Sequence, residues 1–226
     1  MTDKPPVRPS ESVENFLKTV YTLQQQGQER VSTNSLAKAL NILAPSVTDM
    51  ARRMADQGLI DYRKYYGIRL TNEGEAVALR VLRRHRLIES YLVQELDYDL
   101  PSVHDDADRL EHVVSERFIQ AIDAKLGHPI IDPHGEPIPA ADGSITRRNL
   151  LPLTQIEDDS QAQVSRLLAN DPKMLEYVLE RGFELGTTVK IIDRAPFDGP
   201  ITVLVNGQER IIGRSVAAHI LVEMPE

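Results

Sequence analysis

The chain has 226 residues, a formal net charge of −8, 41% hydrophobic and 27% charged residues. That balance belongs to a globular protein and excludes a disordered or collagen-like chain. Cysteine is absent, which excludes disulfides, thiolate metal sites and a cysteine nucleophile. No apolar run approaches the ~18–20 residues of a membrane span, and Met1-Thr2-Asp3-Lys4-Pro5-Pro6 lacks the apolar core of a signal peptide. A cytoplasmic protein with no membrane partner is expected.

The charge is unevenly spread. Residues 1–90 carry 14 Lys+Arg against 10 Asp+Glu, and the remainder carries 12 against 24. A basic first part on an acidic chain suits a nucleic-acid-facing module, although uneven surface charge alone gives the same pattern.

Along the chain, residues 1–9 carry three prolines and read as a loose tail. Ser10 fits a helix N-cap, and Val13, Phe16, Leu17, Val20 and Leu23 follow at helical spacing until Gly27. Residues 32–40 predict a short helix. Ala44-Pro45-Ser46 opens another that stops at Gly58. Residues 59–71, with Ile60, Tyr62, Tyr65, Tyr66, Ile68 and Leu70, predict a β-hairpin. Helix, turn, helix and hairpin together make a winged helix-turn-helix, whose second helix enters the major groove of DNA. Its outward residues are Ser46, Thr48, Asp49, Arg52 and Arg53, started by Pro45; the wing offers Arg63, Lys64, Tyr65, Tyr66 and Arg69. Hydroxyls and arginines bond phosphates or base edges, and Asp accepts from a cytosine amine. A winged helix used only for protein contacts remains the alternative.

The middle of the chain is helical. No Gly or Pro falls between Glu75 and Leu100, nor between Ser102 and Leu126. In the second of these stretches Val103, Ala107, Leu110, Val114 and Ala121 form one apolar stripe on one helix. Residues 127–152 are rich in Pro and Gly and predict a structured loop. Short strands are expected at 187–192, 201–205, 209–212 and 219–222, with a helix at about 173–180 before them. Asp198-Gly199-Pro200 and Asn206-Gly207 are turns, the latter of type I′. The expected fold class is mainly α with β. Its segments are a winged helix-turn-helix at 1–72, a helical domain with the Pro-rich loop at 73–145, and a small β-barrel at 146–226.

Ligand-type side chains gather in the helical part. His85 and Glu89 are one turn apart on one helix, and His104, Asp108, Glu111 and His112 lie on the next. At about 100° per residue the latter four span an arc of roughly 100°. Imidazole with carboxylate suits Mn(II), Fe(II), Co(II), Ni(II) or Zn(II). A solvated charged face is the alternative. Asp132-Pro133-His134 adds two candidate ligands or is a simple Asp-Pro turn. Catalytic metal sites use similar donors, but no nucleophile motif or glycine-rich phosphate loop accompanies these residues, and no enzyme is expected.

Arg84-His85-Arg86-Leu87-Ile88-Glu89, His104 through His112, the loop from Gly127-His128-Pro129 to Asp132-Pro133-His134-Gly135, and Pro45-Ser46-Val47-Thr48 resemble the diphtheria toxin repressor family of metal-dependent transcriptional regulators. The likeness runs over nearly the whole chain. It implies a cytoplasmic homodimer that binds Mn(II) or Fe(II), then a double-stranded DNA operator, and represses transport genes. It also implies a FeoA-like C-terminal domain. One family metal site falls on Asn15, His85, Asp108, Glu111 and His112. The other falls on His85 or its neighbour face through Glu89 and His104, extended in one branch by Asp132 and His134 and completed by a C-terminal donor near Asp171, with Asn170 beside it. Asn15 stands where iron-type members have Met and manganese-type members Asp. Asp108 stands where they have Cys and Glu. With sulfur gone, hard donors favour Mn(II) over Fe(II), and other divalent transition metals can substitute. A winged-helix regulator responding to an organic ligand, with a structural His/carboxylate stripe, is the alternative.

Overall fold

A computed structural model describes residues 9–168 and 171–225. Its contacts divide the chain into two compact units. Among the described residues the first holds 9–85, 111–114 and 139–144; the second holds 86–110, 115–138, 145–168 and 171–225.

In the first unit, α1 (Glu11–Gln25) buries Glu14, Phe16, Leu17, Val20 and Tyr21 along one stripe. Helix α2 (Thr33–Leu40) is capped by Ser32, whose hydroxyl accepts from Ser35 N at 2.9 Å, and ends on a left-handed Asn41. Helix α3 (Ala44–Asp56) begins with Pro45 in its first turn and buries Val47, Ala51 and Met54 at i, i+4 and i+7. Its polar residues are thereby turned outward. Strands β1 (Ile60–Arg63) and β2 (Gly67–Leu70) pair antiparallel with Arg63 opposite Gly67, and Ile68 bridges Val31. Helix α4 (Asn72–Leu96) follows; its residues up to His85 belong to this unit and the rest to the second.

In the second unit the single helix expected over 102–126 is two. Helix α5 (Val103–Leu110) buries Val103 and Ala107, and α6 (Glu116–Lys125) buries Ile119 and Ile122. Ser115 restarts the helix by accepting from Phe118 N at 3.2 Å. The stripe therefore shifts, and Ala121 is exposed.

The C-terminal sheet contains β3 (Leu151–Pro152), β4 (Gln161–Leu167), β5 (Thr188–Arg194), β6 (Ile201–Val205), β7 (Gln208–Ile212) and β8 (Ile220–Glu223), with α7 (Pro172–Leu179) and α8 (Arg214–Ala217) between strands. All pairings are antiparallel in the order β3-β8-β4-β5-β6-β7. The sheet is open rather than a closed barrel among the described residues. Its core is Leu153, Val164, Phe183, Val189, Ile191, Ile201, Val203, Ile212, Ile220 and Val222 with their neighbours. Asn206 and Gly207 both have positive φ, as a type I′ turn between β6 and β7 requires. Strand β4 was not expected: its alternation of polar residues with Ala162 and Val164 contains too few β-branched residues to stand out.

Candidate metal centre and DNA interface

Helix α1 sets Glu14, Asn15 and Lys18 on one face, because residues three and four apart stack on a helix. Helix α4 contributes Arg84 and His85, and the segment 111–114 contributes Glu111 and His112; all belong to the first unit. Glu111 is fully buried and is the hub. Its Oε2 lies 2.7 Å from His85 Nδ1, and its Oε1 lies 2.6 Å from Lys18 Nζ and 3.1 Å from His112 Nε2. His112 Nε2 also lies 2.9 Å from Asn15 Oδ1, and its Nδ1 lies 2.7 Å from Glu14 Oε2. Glu14 is in turn bound by Arg84 Nη2 at 2.7 Å.

The electrostatics follow from these contacts. Burial pushes the Glu111 carboxyl up, but the bonds from His112 and His85 and the Lys18 charge outweigh it and hold it well below the usual carboxylate range. Burial pushes His112 down, yet the bonds to Glu111 and Glu14 win and raise it. With Glu14 and Arg84 included, the cluster is a knot of buried carboxylates held by positive charge. Three of its members, Glu14, Lys18 and Arg84, are absent from the sequence-based site. Glu14 was legible in one respect: it sits three residues before Leu17 and seven before Tyr21, on the buried stripe itself, where a carboxylate needs a partner.

The donor set suits a divalent cation. Two imidazoles, a carboxylate and an amide oxygen meet within hydrogen-bond distance, and positive groups already occupy the lone pairs. Glu14 holds His112 Nδ1, the bond that orients a ligating imidazole through its other nitrogen.

A second group lies within the second unit. One ligand atom each from Glu89, Asp132 and His134 falls within 4.8 Å of the others. His104 Nδ1 is 3.2 Å from Glu89 Oε1, and its Nε2 is 3.6 Å from Asp108 on the next turn. Glu89 and Asp132 are buried. Asp132 Oδ1 also braces its loop by accepting from His134 N at 2.8 Å and Glu136 N at 2.9 Å, so the residue does make the expected turn. Burial, then the Glu89 charge, pushes the Asp132 carboxyl up to about 7 against the pull of Arg86, whose Nε stands 3.6 Å away. The loop is pinned to β4, where Leu167 N donates to His134 O at 2.9 Å and Arg148 donates to Gly135 O at 3.0 Å. Asp171 stands apart. It is exposed and caps α7, accepting from Lys173 N at 2.9 Å. Asn170 lies outside the described residues.

The DNA-facing candidates differ in exposure. Pro45, Ser46, Asp49, Arg52 and Arg53 on α3 are exposed, and so are Arg63, Lys64, Tyr65 and Arg69 on the wing. Thr48 is half-buried and its hydroxyl donates back to Ala44 O at 3.1 Å. Asp49 pairs with Arg52 at 3.4 Å, and Arg63 stands 3.3 Å from Asp61. Lys64 Nζ lies 4.9 Å from the ring centre of Tyr65, which is 91% exposed. Among the described residues no helix is long and apolar enough to cross a membrane.

Three family profiles match in succession: the iron dependent repressor N-terminal DNA binding domain at 9–68, the iron dependent repressor metal binding and dimerisation domain at 71–140, and the FeoA domain at 151–224. The diphtheria toxin repressor of Corynebacterium diphtheriae is 27% identical over 223 residues, covering 94% of this chain and 97% of that protein. A solved manganese-dependent transcriptional repressor in complex with manganese is 38% identical with a TM-score of 0.88, over 94% of this chain and all of the other. The structure of ScaR with bound Zn2+ is 28% identical with a TM-score of 0.79, over 96% and 100%. The winged helix, the His/carboxylate knot and these matches together place the chain in the diphtheria toxin repressor family of metal-dependent transcriptional regulators.

Proposed function

We propose that this chain is a Mn(II)-responsive repressor that acts as a cytoplasmic homodimer on operators of metal-uptake genes. The observation that carries the reading is the convergence of Asn15, His85, Glu111 and His112 in the same compact unit as the winged helix. These four form the regulatory ligand set. Glu89, His104, Asp132 and His134 form a second. Asp171 would have to give up its capping bond to join it. The three segments 1–72, 73–145 and 146–226 carry DNA binding, metal binding with dimerisation, and the FeoA-like sheet. Leu96, Tyr98 and Phe118 are exposed apolar side chains of the second unit and suit a second copy of the chain.

A bound divalent cation would supply the positive charge that these imidazole and carboxylate donors, carried on separate segments, could share. Asn15 and Glu14 belong to α1, so ligation through this face ties the winged-helix core to α4 and to the 111–114 segment. Glu14 keeps His112 in the ring orientation that presents Nε2. Two recognition helices fixed by the dimer then meet half-sites one or more DNA turns apart. Metal and DNA affinities are coupled reciprocally, typically by ~1–3 kcal/mol. Oxygen and imidazole donors favour Mn(II); Fe(II) is the competing ion.

Fluorescence anisotropy with DNA from upstream of transport genes tests the reading, comparing chelator, Mn(II) and Fe(II) anaerobically at one salt concentration. Tight binding only with metal is expected, and His85→Ala or Glu111→Ala should abolish the response. Equal binding in chelator would replace the metal switch with a regulator answering to an organic ligand.

A further inference from the structure

Resting on the metal-centre reading, we propose that Lys18 is a built-in competitor of the regulatory metal: its ammonium occupies a Glu111 lone pair in the metal-free protein and must withdraw to admit the ion.

Lys18 Nζ is 2.6 Å from Glu111 Oε1, the same oxygen that His112 Nε2 approaches to 3.1 Å. A ligand oxygen used by an ammonium cannot also be fully given to a metal, since both take the same lone pairs. The two buried carboxylates, Glu14 and Glu111, are already paired with two permanent cations, Arg84 and Lys18, and His112 bonds both carboxylates as well. A divalent ion added to this knot would crowd positive charge in a medium that screens poorly. Release of the His112 proton relieves part of that without freeing the Glu111 oxygen that Lys18 holds, so one of the permanent cations has to move.

Geometry selects which. Arg84 is buried, holds Glu14 at 2.7 Å, and its Nε is buried with no hydrogen-bond partner. A planar guanidinium fixed in that way has no route out. Lys18 differs. Its side chain is 15% exposed, and a four-carbon stem carries a strongly hydrated ammonium that swings readily into water. Its backbone is held by α1, where Thr22 Oγ1 donates to Lys18 O at 3.0 Å, so only the side chain has to move. Glu14 and Asn15 lie one turn earlier on the same face and stay in place as Lys18 departs.

The consequence is a threshold. The metal must outcompete a tethered cation that is always present at the site. The resident ammonium therefore weakens metal affinity and sets the concentration at which the repressor responds.

Direct Mn(II) titration against a fluorescent chelator, on the native protein, Lys18→Met, Lys18→Gln and Lys18→Arg, tests this. Lys18→Met and Lys18→Gln should bind Mn(II) about tenfold more tightly or better, and Lys18→Arg should gain nothing. Amine acylation of the native protein, read by mass spectrometry, should rise at Lys18 when Mn(II) is added. Unchanged or weaker Mn(II) binding in both neutral variants, or acylation at Lys18 that does not rise, overturns the competitor role. If the native protein binds Mn(II) and His85→Ala does not, the metal centre stands whatever Lys18 does. If the native protein binds no Mn(II), both fall. Two neutral variants guard against one failing to fold.

Discussion

His112 uses both ring nitrogens on oxygen, Nδ1 on Glu14 and Nε2 on Asn15 and Glu111. With no metal bound, that arrangement favours imidazolium, the form that donates from both sides. Its pKa in the folded protein is accordingly raised. The charged ring therefore stabilises the metal-free fold fully below the ordinary histidine value, and the contribution is lost as pH rises through the raised one. To hold a metal His112 would have to lose this proton, so apparent Mn(II) affinity should weaken as pH falls, beginning above the ordinary histidine range of about 6.5. Chelator competition at several pH values would show it; a flat profile would remove His112 from the ligand set. Glu14 orients that ring. Glu14→Gln should weaken Mn(II) binding roughly 10–100-fold and lower the thermal midpoint of the metal-free protein, because Arg84 is left buried without its counter-charge. Undiminished metal affinity in the variant would deny Glu14 its orienting role.

At the scale of elements, the 127–138 loop is the segment whose shape depends most on a neighbour. Gly135 has φ +86°, and a Cβ there would stand 2.2 Å from Ser165 O and 2.9 Å from Arg166 Cα. The loop thus lies against β4, held by Leu167 N on His134 O and by Arg148 and Arg166 on Gly135 O. Gly135→Ala should cost roughly 1–3 kcal/mol. Gly143→Ala, also at φ +86° but with nothing within 4 Å of the new methyl, should cost only the backbone term of about 1 kcal/mol. Calorimetric unfolding of the two variants separates the contact from the conformation; equal losses would mean that the approach to β4 contributes nothing.

Across the whole molecule, a chain of net charge −8 is expected to bind a polyanion, and the positive excess of its first 90 residues has to do the work. Each phosphate neutralised contributes about −0.9 to the slope of log K against log salt. Arg63→Ala and Arg69→Ala, on the exposed wing, should each reduce the slope by about one. Lys190→Ala on β5 should leave it unchanged. Anisotropy over a salt series with saturating Mn(II) reads all three, and identical slopes would take the wing off the DNA.

By itself the sequence determined what repeats locally. Helical periodicity, Pro45 at a helix start, Ser32 at an N-cap and Asn206-Gly207 between two strands act within a few residues, so α1 to α3, the wing and the β6–β7 hairpin were legible. So was the one-turn spacing of His85 with Glu89 on α4 and of His104 with Asp108 on α5. The break at Ser115 was not, because a capping serine inside a run without Gly or Pro looks like helix until tertiary packing turns Ile119 and Ile122 inward. Strand β4 was hidden because its partners, β5 and β8, are remote in sequence. Only the tertiary structure decided that Lys18 meets Glu111 and that Glu14 meets Arg84 and His112, across separations of up to 98 residues. Charge compensation is a property of buried space, and adjacency along the chain does not record it.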